Sequence, residues 1–309
     1  MSARRSFVSG GTGFVGRFIV EDLLAAGHEV TVMARSTPPE GFFSGSVRFV
    51  PLALDAEDVS PAIFERADFF VHAAFDHVPG KYRGGEGDDP ESFRWRNLAG
   101  SVALFEAARR GGVRRLVFLS SRAVYGTRPP GAWLDEKDEP SPDTLYGEVK
   151  LAAERALRRL GAARFHGTSL RVTGVYGPAG QGRAHKWTGL FADYLAGKII
   201  EPRVASEVHG EDVAAAVRLV LERAEPVDPV LNVSDLLVDR SNILSIVKRE
   251  SGSPHALPPA ADERLVNAMR TDRLRALGWS PGGRPLLEKT VVELLRSTQR
   301  LGGAASSNT

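Results

Sequence analysis

Val8-Ser9-Gly10-Gly11-Thr12-Gly13-Phe14-Val15-Gly16, continued by Arg17-Phe18-Ile19-Val20, is an apolar strand end that runs into a glycine-rich turn and out into a helix. Phe14, Val15, Phe18, Ile19, Leu23 and Leu24 recur at the spacing of one helix face. Gly10, Gly13 and Gly16 stand three apart, as G-x-x-G-x-x-G. Without a Cβ, glycine lets the chain turn tightly, lets backbone N–H groups approach a pyrophosphate and lets the helix lie close on the strand. The helix then presents unpaired N–H groups and its positive dipole end to an anion. A glycine triplet alone is weak. Set between a strand and a helix, it makes Gly10, Gly11, Thr12, Gly13, Phe14, Val15 and Gly16 a candidate dinucleotide cradle.

The chain around this turn has 309 residues, enough for one large domain or one and a half. Lys plus Arg number 40 and Asp plus Glu 38, a balance that gives no reason to expect a nucleic-acid partner. With no cysteine there is no disulfide, thiolate metal site or cysteine nucleophile, and we expect a reducing cytoplasm. Met1-Ser2-Ala3-Arg4-Arg5 enters the first strand without an apolar leader, and no apolar run is long enough to cross a bilayer. No spacing of His, Asp and Glu suggests a metal site.

Strands and helices alternate after the turn. Glu29 to Met33, Val47 to Val50, Asp68 to Ala74, Arg115 to Leu119 and Thr168 to Val172 read as strands. Helices are expected over Glu91–Arg110 and Leu145–Leu160, with a functional loop from Phe75 to Pro90. This predicts an α/β fold of Rossmann type, a doubly wound parallel sheet with a small C-terminal substrate lobe. We expect the Rossmann core over 1–174, with 207–235 returning to it, the lobe over 175–206 and 236–303, and a loose tail over 304–309. In the lobe half, helices are expected at His185–Ala196, Glu211–Arg223, Arg240–Glu250 and Pro285–Leu301, and a strand at Val230–Val233. Trp95, Trp133, Trp187 and Trp279 are expected to be packing residues, and His72 a core residue.

Tyr146 and Lys150 lie four apart on the second of these helices and so share a face. A free phenol, with a pKa of about 10, is a poor acid or base at neutral pH. A neighbouring ammonium favours the phenolate, so Tyr146 can exchange a proton with an alcohol or carbonyl. Lys150 can also hold the hydroxyls of a nicotinamide ribose. Ser121 lies just past the fifth strand, at the edge that faces the ligand crevice of such sheets, where its hydroxyl can bond a reacting oxygen or simply cap a turn.

Taken together, these residues resemble the extended short-chain dehydrogenase/reductase family, in its NAD(P)-dependent epimerase/dehydratase branch. Gly10 to Gly16 match its cofactor turn, Val71-His72-Ala73-Ala74 its fourth strand, and Ser120-Ser121 with Val124-Tyr125-Gly126 its active-site strand. Tyr146 and Lys150 match its catalytic pair, and Asn97 an asparagine on the preceding helix. Leu170-Arg171, Val175-Tyr176-Gly177-Pro178, Val208 to Ala214 and Leu277 to Pro281 extend the match over nearly the whole chain. The resemblance implies Ser121, Tyr146 and Lys150 as catalytic residues, with Asn97 as a helper of structure or of a proton relay. It adds Ala73 and Ala74 to the cofactor site. Arg122, Thr173, Tyr176 and Arg183, like Ser121, would face substrate. Arg183, His185 and Lys186 would meet an anionic substrate or form a solvated surface. A homodimer and a small-molecule substrate follow from the same likeness.

Departures narrow the reaction. Dehydratases of this branch carry an acidic pair after the Ser/Thr, where this chain has Arg122-Ala123. Dehydration is therefore not expected. Thr173 and a shortened Lys198–His209 stretch depart from the phosphate-holding pattern of nucleotide-sugar enzymes. An NAD site places a carboxylate roughly 20 residues past the glycine turn. This chain has Ala34 there, followed by Arg35-Ser36, and an arginine suits the 2′-phosphate of NADP. NADP is thus favoured over NAD, with Asp55 expected to reach the adenine. The expected activity is hydride transfer at a carbinol or carbonyl carbon of a sugar, nucleotide sugar or related small molecule, by an oxidoreductase or epimerase. The rivals are an NADPH-dependent carbonyl reductase of a non-nucleotide substrate and a non-catalytic NADP-binding sensor.

Overall fold

The computed structural model describes residues 4–54, 59–78, 85–180 and 183–306. The chain opens with β1 (Arg5–Ser9), α1 (Phe14–Ala25), β2 (Glu29–Ala34), β3 (Arg48–Pro51) and β4 (Phe69–His72). Next come α2 (Pro90–Arg94) and α3 (Gly100–Arg110), joined by a π-helical stretch over Trp95–Ala99. β5 (Arg115–Ser121), α4 (Leu145–Arg159), β6 (His166–Val172), β7 (Gly174–Tyr176), α5 (Thr188–Leu195), β8 (Val204–His209) and α6 (Gly210–Glu222) follow. The chain ends with β9 (Val230–Val233), β10 (Leu236–Asp239), α7 (Arg240–Ser251), α8 (Asp272–Ala276) and α9 (Gly283–Ser306).

Seven strands pair in parallel in the order β3-β2-β1-β4-β5-β6-β9. The order reverses between β1 and β4, and that switch point opens a crevice at the carboxyl ends of the strands. The expected Rossmann-type parallel sheet is therefore what the chain forms. Both faces are covered, which is why β4 reads as an unbroken apolar run with all four residues buried. On one face α1 and α6 bring Phe18, Ile19, Val213 and Val217 onto the sheet. On the other, α3 and α4 bring Leu104, Phe105, Ala153 and Leu157. Tyr176, Trp187, Phe191, Leu244 and Val291 form a third cluster.

Three strands escape the sequence reading. β7, β8 and β10 make a second sheet, parallel between β7 and β8 and antiparallel between β8 and β10. They span three to six residues and lack a long apolar run, so periodicity does not mark them. Leu274 and Trp279, within the stretch allotted to the lobe, pack into the core beside the main sheet. α9 runs on to Ser306, so the loose tail expected from Ala304 starts as helix, and 307–309 lie outside the described residues. Trp187 and Trp279 are buried, but Trp95 and Trp133 are 50% and 62% exposed and are not core packing. Among the described residues, no helix is long and apolar enough to cross a membrane.

His72 is a core residue, as expected. It is fully buried, with Nδ1 2.6 Å from Ser9 Oγ, Nε2 2.8 Å from Ser101 Oγ, and its ring stacked on Phe118. Burial, assisted by the charge of Lys150, lowers its pKa from 6.5 to about 3. The unfolded chain thus binds a proton below pH 6.5 that the folded chain refuses until about pH 3. His72 costs stability as pH falls through that window. Each pH unit is about 1.4 kcal/mol for one such group, so between pH 6.5 and 5 the loss is ~2 kcal/mol. Urea unfolding at pH 7 and pH 5 is expected to show this extra loss in the natural chain relative to His72→Gln; equal losses refute it.

Candidate active site

The crevice at the switch point has a volume of about 1330 Å³, room for a dinucleotide and a second small molecule. Its floor begins at the glycine turn. Gly10 has φ +72°, and a Cβ there would meet Ala74 N at 2.6 Å. At Gly16 a Cβ would meet Gly10 O at 2.0 Å. Only glycine lets the turn, β4 and α1 approach this closely. Gly10, Thr12, Gly13, Phe14, Val15 and Gly16 line the crevice with Ala73, Ala74 and Arg35. Gly11 does not; its Cβ position faces Val32 in the core at 3.0 Å. Ser36 stands exposed beyond the lining, and Asp55 lies outside the described residues.

Ser121, Tyr146 and Lys150 line the same crevice. Ser121 Oγ accepts from Ala123 N at 3.1 Å, capping the turn that follows β5. The capping role uses an acceptor lone pair, so the hydroxyl can still donate its proton into the crevice. Thr144 caps α4 through Gly147 N at 3.1 Å. Gly147 lets the helix start press on the Ser121 turn, since a Cβ there would lie 2.6 Å from Ala123 O. Strand end and helix start are thus locked together. Lys150 is buried, donates from Nζ to Leu119 O at 2.7 Å, and lies 4.3 Å from the Phe75 ring and 4.8 Å from the Phe118 ring. Burial lowers its pKa from 10.5 to about 7, against the pull of Glu154. The ring of Tyr146 is 5.9 Å from Lys150 Nζ and packs edge-on to Phe75 at 5.1 Å.

Of the two readings of Asn97, helper of structure or proton relay, its hydrogen bonds fit the first, and Tyr176 does not line the crevice. Asn97 is 1% exposed and does not line the crevice. Its Oδ1 accepts from Asp76 N at 2.7 Å, and its Nδ2 donates to Asp76 O and Phe93 O at 2.8 and 3.0 Å. It fixes the loop after β4 from behind, within the π-helical stretch. Tyr176 is fully buried, stacked on Trp187 with its ring 5.1 Å from His209, and meets no substrate. Its place in the third buried cluster follows from β7, a strand the sequence did not reveal.

Arg122, Thr173 and Arg183 do line the crevice. Arg122 is tied to Asn267 O by Nε and Nη2 at 3.3 and 3.2 Å, and Thr173 Oγ1 donates to Ser206 O at 2.8 Å. Phe75 and Asp76 open the loop that the sequence marks as functional, without a role for either; they stand three and four residues past the end of β4. Sequence reading missed the ion pair of Lys186 with Glu207, which lines the far end. A Cβ on Gly174 would strike both side chains, at 2.6 Å from Glu207 Oε2 and 2.8 Å from Lys186 Nζ. Those residues are 21 apart in the chain, and no local spacing links them. Among the described residues no cluster suits a metal ion.

Known proteins resemble this chain in sequence and fold. The dTDP-6-deoxy-L-talose 4-dehydrogenase (NAD(P)(+)) of Kitasatospora kifunensis is 32% identical over 321 aligned residues, 94% of either chain. The 3-diazoavenalumate denitrifying reductase of a Streptomyces species is 31% identical, over 90% of this chain and 96% of its own. The UDP-glucose 4-epimerase of Thermus thermophilus, solved as a complex with NAD, superposes with a TM-score of 0.76 at 29% identity, over 94% of this chain and 99% of its own. Residues 6–234, which carry the glycine turn, Ser121, Tyr146 and Lys150, match the model of one family. The chain belongs to the NAD dependent epimerase/dehydratase family, within the extended short-chain dehydrogenases/reductases.

Proposed function

We propose that this protein transfers hydride at a carbinol or carbonyl carbon of a nucleotide-linked sugar, as an NAD(P)-dependent dehydrogenase or reductase. One observation supports it above all: Ser121, Tyr146 and Lys150 share a crevice with the glycine turn. When bound, the dinucleotide supplies the hydride acceptor or donor. In oxidation, Tyr146 as phenolate takes the hydroxyl proton of the substrate. Ser121 donates a hydrogen bond to the same oxygen and draws it toward Tyr146. Lys150, as ammonium, favours the phenolate by its charge. In reduction the proton returns from Tyr146 to the new alkoxide. Lys186, Arg203 and Glu207 line the other end and suit the polar remainder of the substrate. The K. kifunensis relative, a 4-dehydrogenase matched over 94% of its length, favours net turnover.

Epimerisation is the second reading, favoured by the likeness to UDP-glucose 4-epimerases. The same residues perform it if the oxidised intermediate stays and is reduced from its other face. Dehydration is not proposed. Dehydratases occur among the relatives, but Arg122-Ala123 offers no acid and base beside Ser121. The test is to incubate the purified protein with dTDP- and UDP-hexoses and each coenzyme, following nicotinamide absorbance. Net change in NAD(P)H supports the first reading. Interconversion of sugars on tightly held coenzyme supports the second. Reduction confined to free carbonyl compounds removes the nucleotide from the substrate. A cytoplasmic homodimer belongs to the same proposal, and light scattering measures its mass.

The coenzyme is proposed to be NADP. Arg35 lies at the end of β2 with its side chain 80% exposed and Nη1 3.5 Å from Asp76 Oδ1. No carboxylate occupies the strand end itself, where Ala34 stands. Arg35→Ser is expected to raise the KM for NADP(H) about tenfold, the worth of one charge-assisted contact, with little change for NAD(H). Equal KM changes for both coenzymes count against the assignment.

A further inference from the structure

Arg183 was expected to meet an anionic substrate or to face solvent. Arg183 is exposed, and it also reaches the glycine turn. Its Nη1 donates to Thr12 O at 3.1 Å, in the middle of the glycine turn. Its guanidinium carbon lies 5.4 Å from the centroid of the Phe42 ring. Thr12, Gly13, Phe14 and Arg183 line one crevice.

Described residues on either side make their own contacts. Before Arg183, Pro178 O accepts from Arg17 Nη2 at 2.7 Å. After it, His185 is buried with Nε2 2.9 Å from Thr298 Oγ1, Lys186 is paired with Glu207, and Trp187 stacks on Tyr176. The contacts after Arg183 hold the chain from His185 onward beside the crevice. The turn in its own right has no counter-charge. α1 begins at Phe14 with no side-chain cap on Gly13 and no acidic residue in its first turn. Its first N–H groups have no side-chain acceptor, and the helix dipole contributes about half a positive charge. A bridging pyrophosphate carries two negative charges.

We infer that Arg183 is a cofactor-binding residue, which clamps the pyrophosphate of the dinucleotide from the side facing the glycine turn. The inference rests on the reading of Gly10–Gly16 as the cofactor cradle. Thr12 O takes one of the five N–H donors of the guanidinium, and four remain for phosphate oxygens. A planar, permanently charged fork suits two adjacent phosphates better than an ammonium does. Because Lys186 follows only three residues later, the stretch that grips the coenzyme also reaches the substrate end of the crevice.

The test is to titrate the purified full chain, Arg183→Gln and Arg183→Lys with NADH and NADPH by fluorescence, with ADP-ribose and adenosine as competitors. In Arg183→Gln the Kd for NADH, NADPH and ADP-ribose is expected to rise about tenfold or more, the range of a hydrogen bond to a charged group. Adenosine, which has no phosphate, is expected to bind unchanged. Arg183→Lys is expected to recover part of the loss, and the salt dependence of NADH binding to become shallower in Arg183→Gln. An NADH Kd within twofold of the natural chain overturns the inference. So does an unchanged Kd accompanied by a raised KM for the second substrate. If the natural chain binds neither NADH nor NADPH, the cofactor reading falls first and this inference with it.

Discussion

Tyr146→Phe is expected to lower kcat/KM by about two to four orders of magnitude, the range of one positioned acid/base group. The Kd of NAD(P)H is expected to stay within about twofold, because the phenyl ring keeps the packing and only the hydroxyl is lost. The packing is specific. The ring stands edge-on to Phe75 at 5.1 Å, and Lys150 Nζ lies 5.9 Å from its centre. Thr144 and Gly147 hold this first turn of α4 against the Ser121 turn, so phenylalanine inherits the same position. What disappears is the atom proposed to exchange the proton. Transient kinetics separate the two readouts: coenzyme binding by fluorescence, turnover by nicotinamide absorbance. A variant that keeps a tenth or more of the natural turnover shows that the proton moves through another group. Loss of coenzyme binding in step with turnover shows that the hydroxyl holds the coenzyme rather than the reacting oxygen.

The sequence displayed this site unevenly, for physical reasons. Gly10 to Gly16 were legible because the positions that must be glycine are set by local contacts, such as Gly16 on Gly10 O. Tyr146 and Lys150 were legible because a helix places residues four apart on one face. Ser121 was legible from its strand end. Asn97 was visible as a helper, but structure and proton relay were not told apart. Its amide spends its bonds on Asp76 and Phe93, contacts made across a loop. Tyr176 was misplaced because its surroundings depend on β7 and β8, which are held by pairing across more than thirty residues, as Gly174 with Glu207. The Lys186–Glu207 pair and the contact of Arg183 with Thr12 are likewise tertiary, and no periodicity reports them. The parallel sheet, by contrast, was legible as alternation of apolar runs with helices, since burial on both faces writes itself directly into composition.

Beneath the crevice, removing one partner of the Glu154–Arg171 ion pair is expected to cost about 3–5 kcal/mol of folding stability, because the other charge is left buried alone. Each side chain is 4% exposed. Arg171 donates to Glu154 through Nε at 3.1 Å and Nη2 at 2.8 Å, and Ser120 Oγ donates to the same carboxylate. The guanidinium lies over the Tyr125 ring at 4.8 Å, and Tyr125 in turn donates to Asn232 Oδ1 at 2.8 Å. These contacts tie α4 to the carboxyl ends of β5, β6 and β9 directly under Ser121. Yet Arg171 Nη1 has no partner among the described residues, so the pair carries desolvation that its own contacts do not fully offset. The double change Glu154→Leu with Arg171→Met is therefore expected to recover most of the loss of either single change, as apolar replacements of buried pairs do. Urea unfolding of the natural chain, both singles and the double decides this; additive losses refute it. The double variant also separates stability from chemistry. Glu154 is the charge that raises the pKa of Lys150 against burial. With it gone, the ammonium of Lys150 titrates below its present value of about 7. A folded double variant whose activity declines at lower pH than the natural chain shows that Lys150 works as a cation. An unshifted profile shows that its charge is not what the reaction uses.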